Sequence, residues 1–168
     1  MTDDEVARQA DDADRRNQHG PTEPRWTHVA LRVSDIDASI DFYRTYTTLE
    51  LLDRREDEGG FGAWLGHSDQ KEFPFILVLA QFFPQTDPFA GTPIAKLAPF
   101  NHLGIELPTR SAVDEMAARG ERDGCLAMPA RQLPDPIGYI CVLEDPDGNL
   151  VEFSHDQGVY EAVRERWG

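Results

Sequence analysis

The sequence predicts an α+β fold built from two successive βαβββ units, and three observations predict it. One strand is written twice: residues 26–33 (WTHVALRV) return as residues 100–107 (FNHLGIEL), with His28 and His102 in the same phase. Each copy is followed by a helix-periodic stretch and then by three strand-like runs. The last two of those runs flank Asp145-Pro146-Asp147-Gly148-Asn149, a sequence suited to a tight turn.

Residues 1–24 are polar and rich in Asp, Arg and Gln, so they bury little surface alone and read as a tail. Thr2-x-x-Glu5 resembles a capping box, which leaves room for a short helix lying on a partner subunit. In the first strand His28, Ala30 and Arg32 share one face and Val29, Leu31 and Val33 the other, because side chains alternate across a strand. Asp35 is placed to cap a helix in which Ile36, Ile40 and Tyr43 recur at i, i+4 and i+7. Residues 49–55, 61–65 and 73–82 read as three strands, the first two parted by Gly59-Gly60. Residues 83–99, punctuated by Pro84, Pro88, Pro93 and Pro99, read as an extended linker.

The second unit repeats the plan over residues 100–155. Its helix, 111–119, carries Val113, Met116 and Ala117 on one face, and Gly120 suits its C-cap. Three strands follow, the last two forming a hairpin in which Leu150, Glu152 and Ser154 share a face. Asp156 is placed to cap a final helix, within 156–168, whose apolar stripe is Tyr160, Val163 and Trp167. That stripe is expected to dock on its own sheet or on a second subunit.

Composition narrows the function classes. Of 168 residues, 16 are Lys or Arg and 31 Asp or Glu; the net charge of -15 opposes nucleic acid and anionic membranes as partners. No apolar run reaches the roughly 20 residues of a membrane span, and the first 20 residues lack a signal-peptide core. Cys125 and Cys141 match neither a disulfide framework nor a zinc cluster, which points to reduced thiols in a cytoplasmic protein.

The chemistry-bearing residues are the two in-phase histidines and Glu152. If a pseudo-two-fold axis relates the repeated strands, their histidines converge, as a metal requires. A carboxylate among aliphatic neighbours is costly to bury without a positive partner, which a divalent cation would supply. His19, His67 and His155 lack such support and read as surface or packing residues. Asp145 and Asp147 fall short of the ligand count of a calcium loop and read as turn residues.

On His28 with Val29, Leu31 and Val33, residues 34–43 (SDIDASIDFY), His102, and residues 145–152 (DPDGNLVE), the chain resembles the vicinal oxygen chelate superfamily over roughly residues 25–155. That superfamily includes glyoxalase I, extradiol dioxygenases, fosfomycin-resistance enzymes, methylmalonyl-CoA epimerase and bleomycin-binding proteins. The resemblance implies one domain of two βαβββ modules, 25–82 and 100–155, forming a curved, mostly antiparallel sheet around a metal site. It implies His28, His102 and Glu152 as ligands to Fe2+, Mn2+, Ni2+, Co2+ or Zn2+. The activity expected is glyoxalase-like lyase or isomerase chemistry, or dioxygenase chemistry, on a small organic substrate with vicinal oxygens. Glu152 or a metal-bound water would serve as base, and a homodimer is expected, with the site inside one chain or shared between two.

Two departures separate the chain from familiar branches. Glu152 lies 50 residues after His102, and the same step from His28 reaches Val78, where glyoxalase I usually carries a glutamate. Gln81, three residues on, is the nearest substitute for a fourth ligand, but faces the other side of a regular strand. An extradiol dioxygenase would carry a tyrosine ten residues before the glutamate ligand; here that place is Val142, with Tyr139 nearby as a candidate contact to a substrate oxyanion. Arg32 and Glu106 share the ligand face and either line the cavity or pair structurally. The alternative function is a metal-free, bleomycin-resistance-like binding protein.

Overall fold

A computed structural model describes Pro24 and residues 26–167. The rest of the polar tail, with Thr2, Glu5 and His19, lies outside the described residues.

The first module runs β1 (His28–Arg32), α1 (Ile36–Tyr46), β2 (Glu50–Asp57), β3 (Gly60–Gly66) and β4 (Ile76–Phe82). The second runs β5 (Leu103–Glu106), α2 (Arg110–Asp123), β6 (Leu126–Gln132), β7 (Tyr139–Glu144) and β8 (Leu150–His155), followed by α3 (Val159–Trp167). Each module is a four-stranded mixed sheet, ordered β1-β4-β3-β2 and β5-β8-β7-β6. In each, the first strand lies parallel to the last and the remaining pairs are antiparallel. The expected α+β plan of two βαβββ units is therefore the observed one, as two sheets rather than a closed barrel.

Local chemistry accounts for the elements. Asp35 caps α1, its carboxylate accepting from the Asp37 and Ala38 N–H groups at 3.0 Å. The apolar stripe Ile36, Ile40 and Tyr43 packs on Leu31, Ala63, Leu65 and Leu79. On the second sheet, Val113 and Ala117 of α2 cover Cys141, Leu143, Val151 and Phe153. Both layers bury the aliphatic sides of their strands and leave the histidine-bearing sides open.

The modules join through α1 and the β7–β8 turn. Tyr43 Oη donates to Asp145 at 2.8 Å, and the Ser34 N–H donates to Asp147 at 3.0 Å. Asp145, buried to 4% exposure, also accepts from the N–H groups of Asp147 and Asn149 at 2.9 and 2.8 Å. The Gly148 N–H closes the turn on the Asp145 carbonyl at 2.9 Å, with Gly148 at φ +84°. Asp145 and Asp147 thus serve the turn and the module junction.

Three expectations are corrected. Helix α2 runs past Gly120 to Asp123, and Gly124, at φ +75°, is its C-cap. Gly120 is instead a close-approach residue: a Cβ there would stand 2.2 Å from Leu143 Cδ2. Asp156 adopts φ +66° and α3 begins only at Val159, so Asp156 does not cap it. The strand expected from residue 73 starts at Ile76, because Pro74 has no N–H to give the ladder and the Ile76 N–H makes the first bond, to Thr27 O at 2.9 Å. The linker of residues 83–99 contains turns and no regular element. The stripe of Tyr160, Val163 and Trp167 is exposed in the single chain, so α3 does not dock on its own sheet.

Candidate metal and substrate site

The open face of the second sheet carries the candidate site. Parallel pairing places Glu152 opposite Gly104, two residues after His102. Because Gly104 has no side chain, and a Cβ there would meet nothing within 4 Å, the space beside Glu152 stays open. His102 Nε2 lies 3.8 Å from Glu152 Oε2. Its other ring nitrogen, Nδ1, is 2.8 Å from the Phe100 carbonyl; an N–H donated there leaves the Nε2 lone pair facing the carboxylate side. An outer hydrogen bond of this kind fixes the tautomer of a ligating histidine.

Glu152 is only 7% exposed. Its Oε1 accepts from Gln157 Nε2 at 2.8 Å, and its Oε2 faces His102. An amide and an imidazole are thin compensation for a buried carboxylate, and a cation beside Oε2 suits this donor set. Gln157 was not foreseen from the sequence. It sits between Asp156 and Gly158, both at positive φ, and that double bend turns its amide back onto the sheet.

Beside these groups lies a cavity of about 500 Å³, lined by His102, Glu152 and Gln157 at one end and by apolar side chains elsewhere. Ile140 and Val142 of β7 form part of its floor, Val142 directly opposite Glu152.

His28 does not join this group within one chain. It is exposed, its Nδ1 is 2.9 Å from Thr27 Oγ1, and it lines a separate open hollow of about 400 Å³ with Pro24, Trp26 and Thr27. Among the described residues, no three His, Cys, Asp or Glu side chains of a single chain gather closely enough to hold a metal ion.

The register does confirm the internal equivalence: Ala30 pairs with Val78 as Gly104 pairs with Glu152. Gln81 is engaged elsewhere, its Oε1 accepting the Ile36 N–H at the start of α1 at 2.8 Å. Strand β4 runs in regular register against β3, with no bulge to turn Gln81 toward the open face.

The structure directs Tyr139 away from the cavity as well. It shares the phase of Cys141 and Leu143, and its hydroxyl donates to Asp114 of α2 at 2.5 Å beneath the Arg110 guanidinium. That bond to Asp114 raises the phenol pKa. Arg32 pairs with Asp87 of the linker and donates to the Thr92 carbonyl at 3.0 Å, so Glu106 is not its partner. His67 meets Thr48, and His155 Nδ1 the Leu107 carbonyl at 3.1 Å, as packing residues.

Two βαβββ modules, one bearing a histidine and carboxylate on its open face beside an apolar cavity, define a protein of the paired-module class. The chain belongs to the Glyoxalase/Bleomycin resistance protein/Dioxygenase superfamily, whose sequence profile matches residues 25–153. It is 40% identical over 136 residues to an uncharacterized Pseudomonas aeruginosa protein, covering 80% of this chain and 90% of that one. Over 131 residues it is 24% identical to the lactoylglutathione lyase of Neisseria meningitidis, covering 77% and 88%. Among solved structures, a glyoxylase/bleomycin resistance protein/dioxygenase domain from Frankia sp. EAN1pec superposes with a TM-score of 0.58 at 20% identity, covering 80% of this chain and 99% of that one. At that identity the likeness concerns the fold. Among the described residues, no helix is long and apolar enough to cross a membrane.

Proposed function

We propose that this is a divalent-metal enzyme whose site is shared between two copies of the chain. His102 and Glu152 of one protomer supply two ligands and His28 of its partner the third. The observation that carries this reading is the half-site itself: an oriented imidazole 3.8 Å from a buried carboxylate, beside open space over Gly104.

The edges of the two sheets support the shared arrangement. Strands β1 and β5 are both edge strands, and the aromatic residues two positions before the histidines, Trp26 and Phe100, are 86% and 85% exposed. An exposed edge with a large aromatic beside it calls for a covering partner. Bringing β1 of one copy against β5 of another would cover both edges and carry His28 toward Glu152.

Two histidines and one carboxylate leave coordination positions for a substrate with vicinal oxygens, and suit Fe2+, Mn2+, Ni2+, Co2+ or Zn2+. A divalent metal held there would supply Lewis-acid stabilisation of charge developing on those oxygens. Glu152 would serve as the base, with Gln157 holding its other oxygen. The reaction is of the lyase, isomerase or dioxygenase kind, in a cytoplasmic setting consistent with the two free cysteines.

Complementation tests the proposal. His28→Ala and Glu152→Ala each abolish metal binding in their own homodimers, whereas mixing the two variants under exchange restores one intact site per hybrid dimer. Metal binding by His28→Ala alone at wild-type affinity, or no recovery in verified hybrids, overturns the shared site. A wild-type protein that takes up no divalent metal supports instead the metal-free binding protein, a reading favoured by the apolar cavity and by Val78.

A further inference from the structure

We infer that the cavity takes an uncharged substrate with an apolar arm, and not a glutathione conjugate; this rests on the proposed site and names its substrate class. The chemistry of the walls carries the inference. Around the cavity of about 500 Å³, Phe100, Met128, Leu133, Ile137, Ile140 and Val142 supply the apolar surface, and no lysine or arginine among the described residues lines it. Its one carboxylate, Glu152, sits at the end where chelation would occur.

A glutathione conjugate carries two carboxylates and an ammonium. Removing a carboxylate from water without a cationic partner costs several kcal/mol, so a site for the tripeptide needs positive side chains.

Among the described residues, the neighbouring cations stand outside the cavity wall. Arg131, opposite Ile140 on edge strand β6, lies at the margin of the cavity, exposed to water, and is not one of its lining residues. On the open face of the first module, which the partner would bring over the cavity, Arg32 is bound to Asp87, and Arg55 lies 3.3 Å from Asp53 with its guanidinium over Trp64. A second hollow on that module, about 350 Å³, holds Lys71 together with Glu50, so its charges offset each other. Neither module therefore presents a net positive wall. Added to the overall charge of -15, this arrangement repels an anionic tripeptide and favours a neutral ligand whose carbon chain lies against Met128, Ile137 and Ile140.

The test uses matched chelators on the zinc-loaded full-length protein, followed by calorimetry. Two N-phenyl-N-hydroxythiocarbamates share one vicinal-oxygen head, the first as its S-ethyl ester and the second as its glutathione thioester. The S-ethyl compound should bind at least about tenfold more tightly, the least expected from leaving one buried charge unpaired. Along an S-alkyl series affinity should rise by about fourfold per methylene, the equivalent of burying one CH₂. Ile137→Glu, at a half-exposed loop position, should erase most of that gain while leaving zinc affinity unchanged. A glutathionyl compound that binds as tightly as the S-ethyl one, or an S-alkyl series with flat affinity, overturns the inference while leaving the metal site standing. Displacement of the neutral dye N-phenyl-1-naphthylamine from metal-free protein by 1-octanol is read in parallel. If zinc does not bind but the dye does, and Ile137→Glu expels it, the apolar cavity stands and the metal reading falls.

Discussion

Replacing Gln157 by leucine removes the only amide donor to Glu152 among the described residues and puts an apolar side chain of similar size in the cavity wall. The Gln157 amide donates to Glu152 Oε1 at 2.8 Å and fixes which carboxylate oxygen remains for a metal, Oε2, on the His102 side. Leucine has nearly the same volume, and the segment joining β8 to α3 lies outside the core, so the fold is retained. The freed carboxylate can rotate, and its second oxygen is left without a donor in a group only 7% exposed. Loss of such outer partners typically costs 10- to 100-fold in metal affinity, or about 1.4 to 2.7 kcal/mol. Competition of zinc between the purified variant and a chelator of known affinity reads the change directly, and thermal unfolding of both metal-free proteins checks that the fold is equal. A variant within about twofold of wild type in affinity, with unchanged metal-free stability, would refute the argument that Gln157 positions the carboxylate. Gln157→Glu places a second negative charge against Glu152 and should destabilise the metal-free protein more than the loaded one, because only the cation offsets both charges.

Three further substitutions probe the module junction and helix α2. Tyr43→Phe removes the 2.8 Å bond to Asp145 and should cost about 1.5 to 3 kcal/mol, the range for hydrogen bonds to charged groups, read by urea unfolding. Alkaline stability gives an independent reading. Burial, and then Asp145, raise the Tyr43 pKa far above its unfolded 10.0, and burial pushes the Cys141 thiol from 9.0 up to about 11. The folded state keeps both protons while the unfolded chain releases them, so stability holds below pH 9 and falls as pH rises from there; Tyr43→Phe should flatten the fall above pH 10, and an unchanged slope would contradict the assignment. Gly124→Ala should cost about 1 to 2 kcal/mol through its left-handed backbone. Gly120→Ala should cost about 1 to 3 kcal/mol through contact with Leu143, and pairing it with Leu143→Ala should recover part of its own cost, whereas Gly124→Ala should show no such coupling.

Much of this architecture is legible in the sequence because it depends on local periodicity. The duplicated strand, the Asp35 cap, the Ile36–Ile40–Tyr43 stripe and the Asp145 turn each carry their cause within a few residues. What escapes are features set by distant approach. Both Gly120 and Gly124 fit a helix end, and only the proximity of Leu143 reveals that the first is needed for packing. Tyr139 could have been excluded from the substrate face by parity, since it alternates with Ile140 and Val142 and shares the phase of Leu143. Gln157 offers only a neighbouring glycine as a local clue. The pairing of Arg32 with Asp87 required knowing that the proline-rich linker folds back over β1.

The two modules differ most where equivalent backbone positions carry unlike side chains. Gly104 and Glu152 make an open, acidic niche, while Ala30 and Val78, in the same register, make an apolar one. A symmetric pair of glutamates would place two carboxylates at the pseudo-axis, each needing the cation to relieve the other. With valine on one side of the proposed shared site, that repulsion would be absent, and the metal-free halves would associate without a like-charge penalty. In the proposed site the same valine would leave a ligand position open and give its surroundings an apolar wall, like Val142 across from Glu152. In the proposed shared site, coordination number and substrate polarity would therefore be coupled through one residue: valine at position 78 supplies no fourth ligand and lines that space with carbon, which would favour a neutral substrate whose own oxygens complete the coordination.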